Sequence, residues 1–303
     1  MPKRIAVIGA GSVGVVLAVA AYERGHDVVL CARRHPEHPT VRLERGDEIH
    51  DLPIPIISEP SAAREVDWAL LATKAHQTAG AAVWFRALMG WGTTLTVVQN
   101  GLNHLDRVAP YVLESAGVLP ALAYVAAETV SPGRVRQTFD EGLVVPAGPL
   151  GEGLADLLDG SFLPVRRTAD FVTESWRKLL LNLALNPVTA MTGRPVGMLR
   201  GAGVRPLIEA LINEAANVGR AAGANLSPAD VDGCLALIDS LPADYGTSML
   251  SDRRAGREME TEAIVGEVVR AADKVGMPAP RSHTLLVLLR ALERPAPVLA
   301  PAA

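Results

Sequence analysis

The chain has 303 residues, a formal net charge of -4 and a hydrophobic content of 49%. This length accommodates one large or two medium-sized domains, and the apolar content is enough for a sizeable core. The negative charge argues against a general nucleic-acid binder, because such proteins are normally basic. The two cysteines, Cys31 and Cys234, lie far apart without metal-ligand spacing, so we expect a reducing compartment, no disulfide framework and no metal site.

The N-terminal segment is ambiguous. A basic Lys3-Arg4 pair precedes the apolar run IAVIGAGSVGVVLAVAA, as in a signal peptide, and the run approaches the lower limit of ~17 residues for a membrane span. However, Gly9, Gly11 and Gly14 interrupt the run at a spacing typical of a strand-loop-helix motif. We therefore predict a cytoplasmic protein that does not enter the membrane.

Short apolar strands alternate with helical stretches in the first half of the chain. The predicted strands are IAVIG, VVLCA, ALLAT and TLTVVQN, which begin at residues 5, 28, 69 and 94. Near-continuous apolar strands with helices between them indicate a parallel sheet covered on both faces. Between Pro120 and Val145, short strands joined by tight turns predict an antiparallel extension of that sheet.

Helical periodicity replaces the strand pattern from about Asp170 onward. Breaks are expected in the glycine-rich segment 193–203 and just after Leu241, and the Pro/Ala-rich tail RPAPVLAPAA is expected to be frayed. The sequence therefore predicts an α/β N-terminal domain over residues 1–168 and an all-α C-terminal domain over residues 169–303.

A glycine-rich loop, GAGSVG, matches the pattern G-x-G-x-x-G directly after a strand and at the start of a helix. The first glycine permits a tight turn, the second lets the backbone approach a pyrophosphate, and the third lets helix and strand pack closely. The free amides of the helix N-terminus also favour phosphate. We predict that a dinucleotide contacts Gly9, Gly11, Ser12, Val13 and Gly14. The alternative is a glycine-rich turn without a ligand.

The end of the second strand indicates which dinucleotide binds. NAD-binding proteins usually carry an acid there for the ribose 2′-hydroxyl, but this chain has Arg33-Arg34 and no acid before Glu37. A guanidinium can hold a 2′-phosphate through paired hydrogen bonds. Arg33 therefore favours NADPH over NADH, whereas the alternative is a solvated arginine pair.

Two further loops follow strands of the predicted sheet. The first is ATKAHQT, residues 72–78, and the second is VQNG, residues 98–101. Ligands of open α/β sheets bind outside the carboxyl ends of the strands. Lys74 and Asn100 are therefore candidates to contact cofactor or substrate, although either residue could instead serve the turn alone.

Three polar residues follow one face of the apolar helix WRKLLLNLALNP. Lys178, Asn182 and Asn186 are spaced by four residues, so that each is displaced by only about 40° around the helix. A buried amine without partners is costly, and the stripe therefore indicates acidic neighbours or a ligand. Hydrogen bonds to a second helix, or exposure to water, would also satisfy these polar side chains. Pro187 is expected to kink or end the helix.

A polar segment further along the chain offers a partner for the lysine. TSMLSDRRAGREMETEAIVG, residues 247–266, is rich in acids for the middle of a helical domain. Most acids of such a segment form a solvated face. A carboxylate close to Lys178 and to a nicotinamide would nonetheless make a proton-donating pair for carbonyl reduction.

Taken in order, GAGSVG, ATKAHQT, VQNG, WRKLLLNLALNP and SMLSD…ETE…G resemble the ketopantoate reductases (2-dehydropantoate 2-reductases) over nearly the whole chain. The resemblance implies a Rossmann-type domain followed by a helical domain, with the active site in the cleft between them. It also implies NADPH-dependent reduction of 2-dehydropantoate, a small 2-keto acid, to (R)-pantoate in pantothenate and coenzyme A biosynthesis. A homodimer is compatible with it, because helical second domains of such enzymes often dimerise.

The resemblance also assigns roles to single residues. Lys178 matches the catalytic lysine that protonates the keto oxygen, and Glu260 matches the acid that assists it. Residues that match the substrate and cofactor contacts are Asn182, Asn186 and Ser248 for the substrate, Arg33 for the 2′-phosphate, and Lys74 and Asn100 for the cleft.

Two departures from the family pattern leave alternatives open. The acid segment reads METE rather than TEID, so that Glu258 or Glu262 could replace Glu260, and VVPAGPLGEG lacks the usual Ile-Gly pair after the last strand. Two other functions also stay open: reduction of a different 2-keto or 3-keto acid, and a non-catalytic NADP-binding sensor. A sensor would need only the glycine loop, so the polar residues of the second domain argue against it.

Overall fold

The computed structural model describes residues 1–34, 40–113 and 116–293. Glu37 and the tail that is expected to be frayed lie outside these residues. The chain divides into two compact units, Met1–Phe171 and Val172–Ala303. No helix within the described ranges combines the length and the apolar character that crossing a bilayer requires.

Strands occur in the first unit and helices in both. In chain order the strands are Arg4–Ile8 (β1), Asp27–Cys31 (β2), Val41–Arg45 (β3), Glu48–Leu52 (β4), Ile56–Ile57 (β5), Trp68–Leu71 (β6), Thr94–Val97 (β7), Gly117–Pro120 (β8), Leu122–Ser131 (β9), Arg134–Pro146 (β10) and Val165–Thr168 (β11). The α-helices are Ser12–Glu23 (α1), Thr78–Leu88 (α2), His104–Val108 (α3), Pro149–Leu158 (α4), Phe171–Thr192 (α5), Arg205–Ala221 (α6), Pro228–Ser240 (α7), Ser248–Arg254 (α8), Thr261–Val275 (α9) and Pro280–Glu293 (α10).

Six strands form a parallel sheet in the order β5-β2-β1-β6-β7-β8. Numbered within this sheet alone, the order is 3-2-1-4-5-6, which is that of dinucleotide-binding folds. The predicted parallel sheet is therefore confirmed. At its carboxyl edge the amide of Ala72 donates to the carbonyl of Ile8 over 2.9 Å, and the amide of Val98 donates to that of Leu71 over 2.8 Å. The loops after β1, β6 and β7 thus leave the sheet side by side.

The predicted antiparallel hairpin is formed by β9 and β10, but it belongs to a second, five-stranded sheet rather than to the edge of the parallel one. The first half of β10 pairs with β3 and its last residues pair with β11, both in parallel. Register shifts interrupt the β9–β10 ladder at three places, and such bulges bend a strand and increase its twist. The bent β10 therefore also pairs with β3 of the β3–β4 hairpin. The sequence analysis did not predict this hairpin.

Helix α1 is apolar because it is buried on nearly every side. It contacts strands of both sheets, and its residues from Gly14 to Ala21 are all buried. Its valines and leucine belong to the core between the two sheets, whereas α2 covers the opposite face of the parallel sheet with Trp84, Phe85 and Leu88. A helix that is hydrophobic all round is expected in such a position. The signal-like apolar run is thus a strand followed by a core helix.

The described part of the second unit is helical, and α5 is its longest helix. Of the two outcomes expected at Pro187, a kink or the end of the helix, the second does not occur, because α5 continues to Thr192. A proline removes one backbone hydrogen bond, but side chains bond to carbonyls on both sides of it. The Thr189 hydroxyl donates to the carbonyl of Leu185 over 2.7 Å, and Arg253 donates to the carbonyls of Ala190 and Met191 near the helix end.

Candidate active site

The first and third glycines of the loop between β1 and α1 are required by the protein's own packing. Gly9 has a φ of 117°, and a Cβ there would lie 3.0 Å from the carbonyl group of Ala72 and from the amide nitrogen of Thr73. A Cβ on Gly14 would lie 1.8 Å from the carbonyl oxygen of Gly9. Both positions therefore bring backbone segments closer than any side chain allows.

The second glycine lies against open space. Gly11 has an ordinary φ of -86° and is the N-cap residue of α1, and a Cβ added to it meets no described atom within 4 Å. Since glycine has no side chain, none accepts from the first-turn amides at this N-cap. Ser12 and Val13 begin the helix and are partly exposed. This cradle fits a pyrophosphate, which the helix amides and the positive end of the helix dipole would stabilise.

Arg33 lies two residues after the end of β2, and its side chain is exposed. Because β2 is the neighbour of β1 in the parallel sheet, the residues after β2 leave the sheet next to the glycine loop. In such folds, residues at this position contact the ribose of a bound dinucleotide. Glu37, the next acid along the chain, lies outside the described residues.

The two other predicted loops lie at the same edge of the sheet. Lys74 and Asn100 are both partly exposed, on the loops after β6 and β7. Gln99, which the sequence analysis did not single out, connects these loops: its side-chain amide donates to the carbonyl of Thr73 over 3.0 Å. The signal that could have revealed it is the amide at the end of the apolar run TLTVVQN, because a buried amide needs partners.

The polar stripe of α5 divides into two parts. Lys178 and Asn182 are partly exposed, whereas Asn186 retains only 5% of its accessible surface. The intervening residues Leu179 and Leu183 are buried in the helical unit. The stripe is therefore the polar face of a helix whose other faces form core contacts.

Lys178 has an unusual electrostatic environment. Burial lowers the pKa of its amine to about 8, and the negative charge of Glu260 acts in the opposite direction. The apolar surroundings favour loss of the proton from the amine, and the carboxylate opposes this loss. A lysine with a pKa near neutrality is suited to general acid-base chemistry.

The structure distinguishes among three acids: Glu260 and Glu262 of METE, and Glu258, which precedes it. Glu260 is 4% exposed and acts on Lys178. Glu258 is exposed, and Glu262 forms ion pairs with Arg290 at 2.7 Å and Arg270 at 3.0 Å. The geometry therefore favours Glu260 over both alternatives as the partner of the lysine.

Asn186 and Ser248 contact each other. The Oδ1 atom of Asn186 accepts from the Ser248 hydroxyl over 3.1 Å and from the amide of Met249 over 3.2 Å. These two donors fix the orientation of the Asn186 amide. Its NH2 group points away from them and can donate to another acceptor. Ser248, an exposed residue at the start of α8, therefore orients Asn186 in addition to any contact of its own.

Neither cysteine is placed for chemistry. Cys31 and Cys234 are buried free thiols, and burial raises the pKa of each to about 12. A thiol that stays protonated is a poor nucleophile. Within the described ranges, no group of three or more His, Cys, Asp or Glu side chains is arranged to hold a metal ion.

A dinucleotide-type strand order with a glycine cradle, together with a lysine of lowered pKa that interacts with a buried carboxylate, characterises a nicotinamide-dependent oxidoreductase. Residues 5–149 match the family described as Ketopantoate reductase PanE/ApbA, and residues 170–293 match its C-terminal counterpart. The chain belongs to the ketopantoate reductase family, whose members are NAD(P)-dependent oxidoreductases.

Relatives cover the whole length of the two units. A 2-dehydropantoate 2-reductase of Mycobacterium tuberculosis is 38% identical over 293 residues, which cover 96% of this chain and 98% of the relative. One from Caulobacter vibrioides is 35% identical and covers 95% and 98%. Among solved structures, a dimeric ketopantoate reductase from Staphylococcus aureus has a TM-score of 0.86 at 26% identity, covering 96% of this chain and 98% of that one.

Proposed function

We propose that the protein reduces 2-dehydropantoate to (R)-pantoate with NADPH, a step of pantothenate and coenzyme A biosynthesis. The observation that carries this proposal is Lys178, a partly exposed lysine with a pKa of about 8 that feels the charge of the buried Glu260. Asn182 and Asn186 follow Lys178 on the same helix. The names of the relatives from Mycobacterium tuberculosis and Caulobacter vibrioides support the choice of substrate.

In this proposal the lysine performs the proton chemistry. NADPH supplies the hydride for C2 of the keto acid. The Lys178 ammonium donates a hydrogen bond to the keto oxygen, stabilises the negative charge that develops there and transfers its proton to the alkoxide. Glu260 holds the ammonium charged and oriented before this step. The lysine then recovers its proton from solvent.

The amides bind and orient the substrate. The NH2 group of Asn186 is available because its oxygen is occupied by Ser248 and Met249, and an NH2 donor suits the carboxylate or hydroxyl oxygen of a hydroxylated keto acid. Asn182 adds a second amide one helical turn away. Accurate placement of the keto group contributes to the rate as much as the proton donor does.

Residues 1–168 hold the cofactor and residues 169–303 the substrate in this proposal. The glycine cradle takes the pyrophosphate, and Lys74 and Asn100 contact the cofactor or the substrate beyond it. Arg33 is exposed after β2, where a guanidinium can pair with a 2′-phosphate. The protein is further proposed to be a homodimer, as the Staphylococcus aureus relative is, which light scattering in solution would test.

The decisive assay measures NADPH consumption by absorbance at fixed enzyme concentration. 2-Dehydropantoate is compared with two other 2-keto acids and a 3-keto acid, and NADPH with NADH. Rapid NADPH loss with 2-dehydropantoate alone is the expected result. Comparable rates with another keto acid would change the proposed substrate. NADPH binding without any turnover would instead support a non-catalytic sensor.

The choice of cofactor has its own test in Arg33→Ala. Loss of a guanidinium that pairs with a phosphate should raise the KM for NADPH by roughly tenfold or more and leave that for NADH unchanged. The neighbouring exposed Arg34→Ala is the matched control. Equal KM values for NADPH in the Arg33 variant and the unaltered protein would contradict the proposed role.

A further inference from the structure

Gln99 belongs to the loop that carries Asn100, and its buried side-chain amide reaches the loop that carries Lys74. It follows β7 directly and retains 5% of its accessible surface. Its Nε2 atom donates to the carbonyl oxygen of Thr73 over 3.0 Å, to the Thr73 hydroxyl over 3.1 Å and to the Thr78 hydroxyl over 3.0 Å. The donor side of this amide thus holds both ends of the loop that carries Lys74.

The acceptor side of the same amide faces α3. Its Oε1 atom accepts from Nη1 of Arg107 over 3.1 Å, and this guanidinium also donates to the backbone carbonyl of Asn100 over 3.1 Å. The backbone carbonyl of Gln99 accepts from Nε2 of His104 over 2.7 Å. The acceptor side is therefore connected to the loop that carries Asn100.

Backbone pairing between these two strands ends before the loops begin. The last pair in register is Leu71 with Val97, and Val98 donates once more to Leu71. Beyond that point, side chains set the distance between the loops. Glutamine meets this need because one planar group presents two donors and an acceptor, and burial makes each unmade bond costly.

We propose that Gln99 is a positioning residue for cofactor binding: its amide fixes the loops of Lys74 and Asn100 relative to each other without touching the ligand. The inference rests on the proposed function, in which those two residues contact the cofactor or the substrate. Removing the amide leaves both contact residues present but misplaced. The cost should therefore appear in nucleotide affinity as well as in stability.

A matched control lies at the opposite end of the same strand. Thr93 precedes β7 and retains 4% of its accessible surface. Its hydroxyl donates to the carbonyl of Val66 over 2.6 Å and accepts from the amide of Gly90 over 3.0 Å. Thr93→Val therefore also removes buried hydrogen bonds, here to segments that precede β6 and β7, at the edge of the sheet away from the glycine loop.

The experiment compares Gln99→Met, Gln99→Glu and Thr93→Val. Methionine keeps the volume without the hydrogen bonds, and glutamate keeps the acceptor for Arg107 but loses the donors to Thr73. The dissociation constants of NADPH and NADH are measured by fluorescence titration, alongside thermal unfolding. Both Gln99 variants should bind the preferred nucleotide about tenfold more weakly, because the displaced loops would lose on the order of one hydrogen bond to the nucleotide. Thr93→Val should unfold earlier with unchanged affinity.

A double-mutant cycle with Lys74→Ala separates positioning from general destabilisation. If Gln99 acts through the Lys74 loop, Gln99→Met should weaken binding much less in the Lys74→Ala background than in the unaltered protein. Full additivity, or an equal loss of affinity in Thr93→Val, would overturn the inference, as would a failure of the unaltered protein to bind either nucleotide. Normal binding without turnover would overturn the proposed function alone.

Discussion

The two units supply their candidate site residues in different ways. In the first unit the glycine cradle consists of backbone: Gly9 and Gly14 allow close contacts between main-chain segments, and Gly11 leaves space above the helix N-terminus. In the second unit the site consists of side chains on one helix and its neighbours: Lys178, which interacts with the buried Glu260, and Asn186, which accepts hydrogen bonds from the start of α8.

This difference determines how each region responds to substitution. A backbone site is made of groups that every residue possesses, so it is sensitive to added atoms and tolerant of most removed ones. A side-chain site depends on one functional group at each position and fails when that group is removed. Four predictions test this contrast, from the largest expected effect to the smallest.

Lys178→Ala should abolish most of the turnover without changing nucleotide affinity. Loss of a positioned general acid costs about 10²–10⁴ in rate, and the lysine belongs to the unit that does not contain the glycine cradle. Steady-state kinetics and NADPH titration measure the two quantities. Lys274→Ala, an exposed lysine on α9, is the control and should behave like the unaltered protein. Near-normal turnover of the Lys178 variant would refute its catalytic role.

Substitutions at two glycines of the cradle should have different effects, one on stability and the other on nucleotide binding. Gly14→Ala places a Cβ 1.8 Å from a backbone oxygen, so its thermal unfolding midpoint should fall by several degrees or more. Gly11→Ala meets no described atom and has an allowed φ of -86°, so its stability should be preserved. A methyl group facing the pyrophosphate should nevertheless weaken NADPH binding by roughly tenfold. Unchanged NADPH affinity in Gly11→Ala would show that no ligand lies against this glycine.

Local patterns were enough to predict the parallel sheet and the polar stripe. The glycine loop stands between a buried strand and a helix, and the stripe of Lys178 and Asn182 follows from a spacing of four residues. Both signals lie within about two dozen residues of chain, where periodicity determines which side chains share a face.

Features that depend on distant residues were missed. The second sheet joins β3 with β10, which are separated in the sequence by four of the six strands of the parallel sheet. The alternation of VRLER is itself a strand signal, but nothing within this segment identifies its distant partner. The bonds that Arg253 donates to the last carbonyls of α5 come from another helix, about 60 residues further along the chain, so the sequence around Pro187 could not reveal them. The choice of Glu260 depends on burial, which the spacing of three nearby acids cannot reveal.

Glu260→Gln should shift the pH dependence of the reaction. Reduction requires the protonated lysine, so kcat/KM for the keto acid should fall as pH rises through about 8, the pKa of Lys178. The negative charge of Glu260 raises this pKa against the effect of burial. Replacing the carboxylate by a neutral amide removes that contribution, and the fall in kcat/KM should therefore move to lower pH.

The lowered pKa of Lys178 should also affect the stability of the folded protein, which tests the direction of the pKa shift independently of turnover. Lys178 releases its proton at lower pH in the folded protein than in the unfolded chain, where lysine titrates near ~10.4. Its contribution to the free energy of unfolding should therefore rise between about pH 8 and that value, and the rise should begin at lower pH in Glu260→Gln. Glu262→Gln is the control, because that exposed carboxylate pairs with arginines. An identical pH profile for all three proteins would mean that the charge of Glu260 does not reach the lysine.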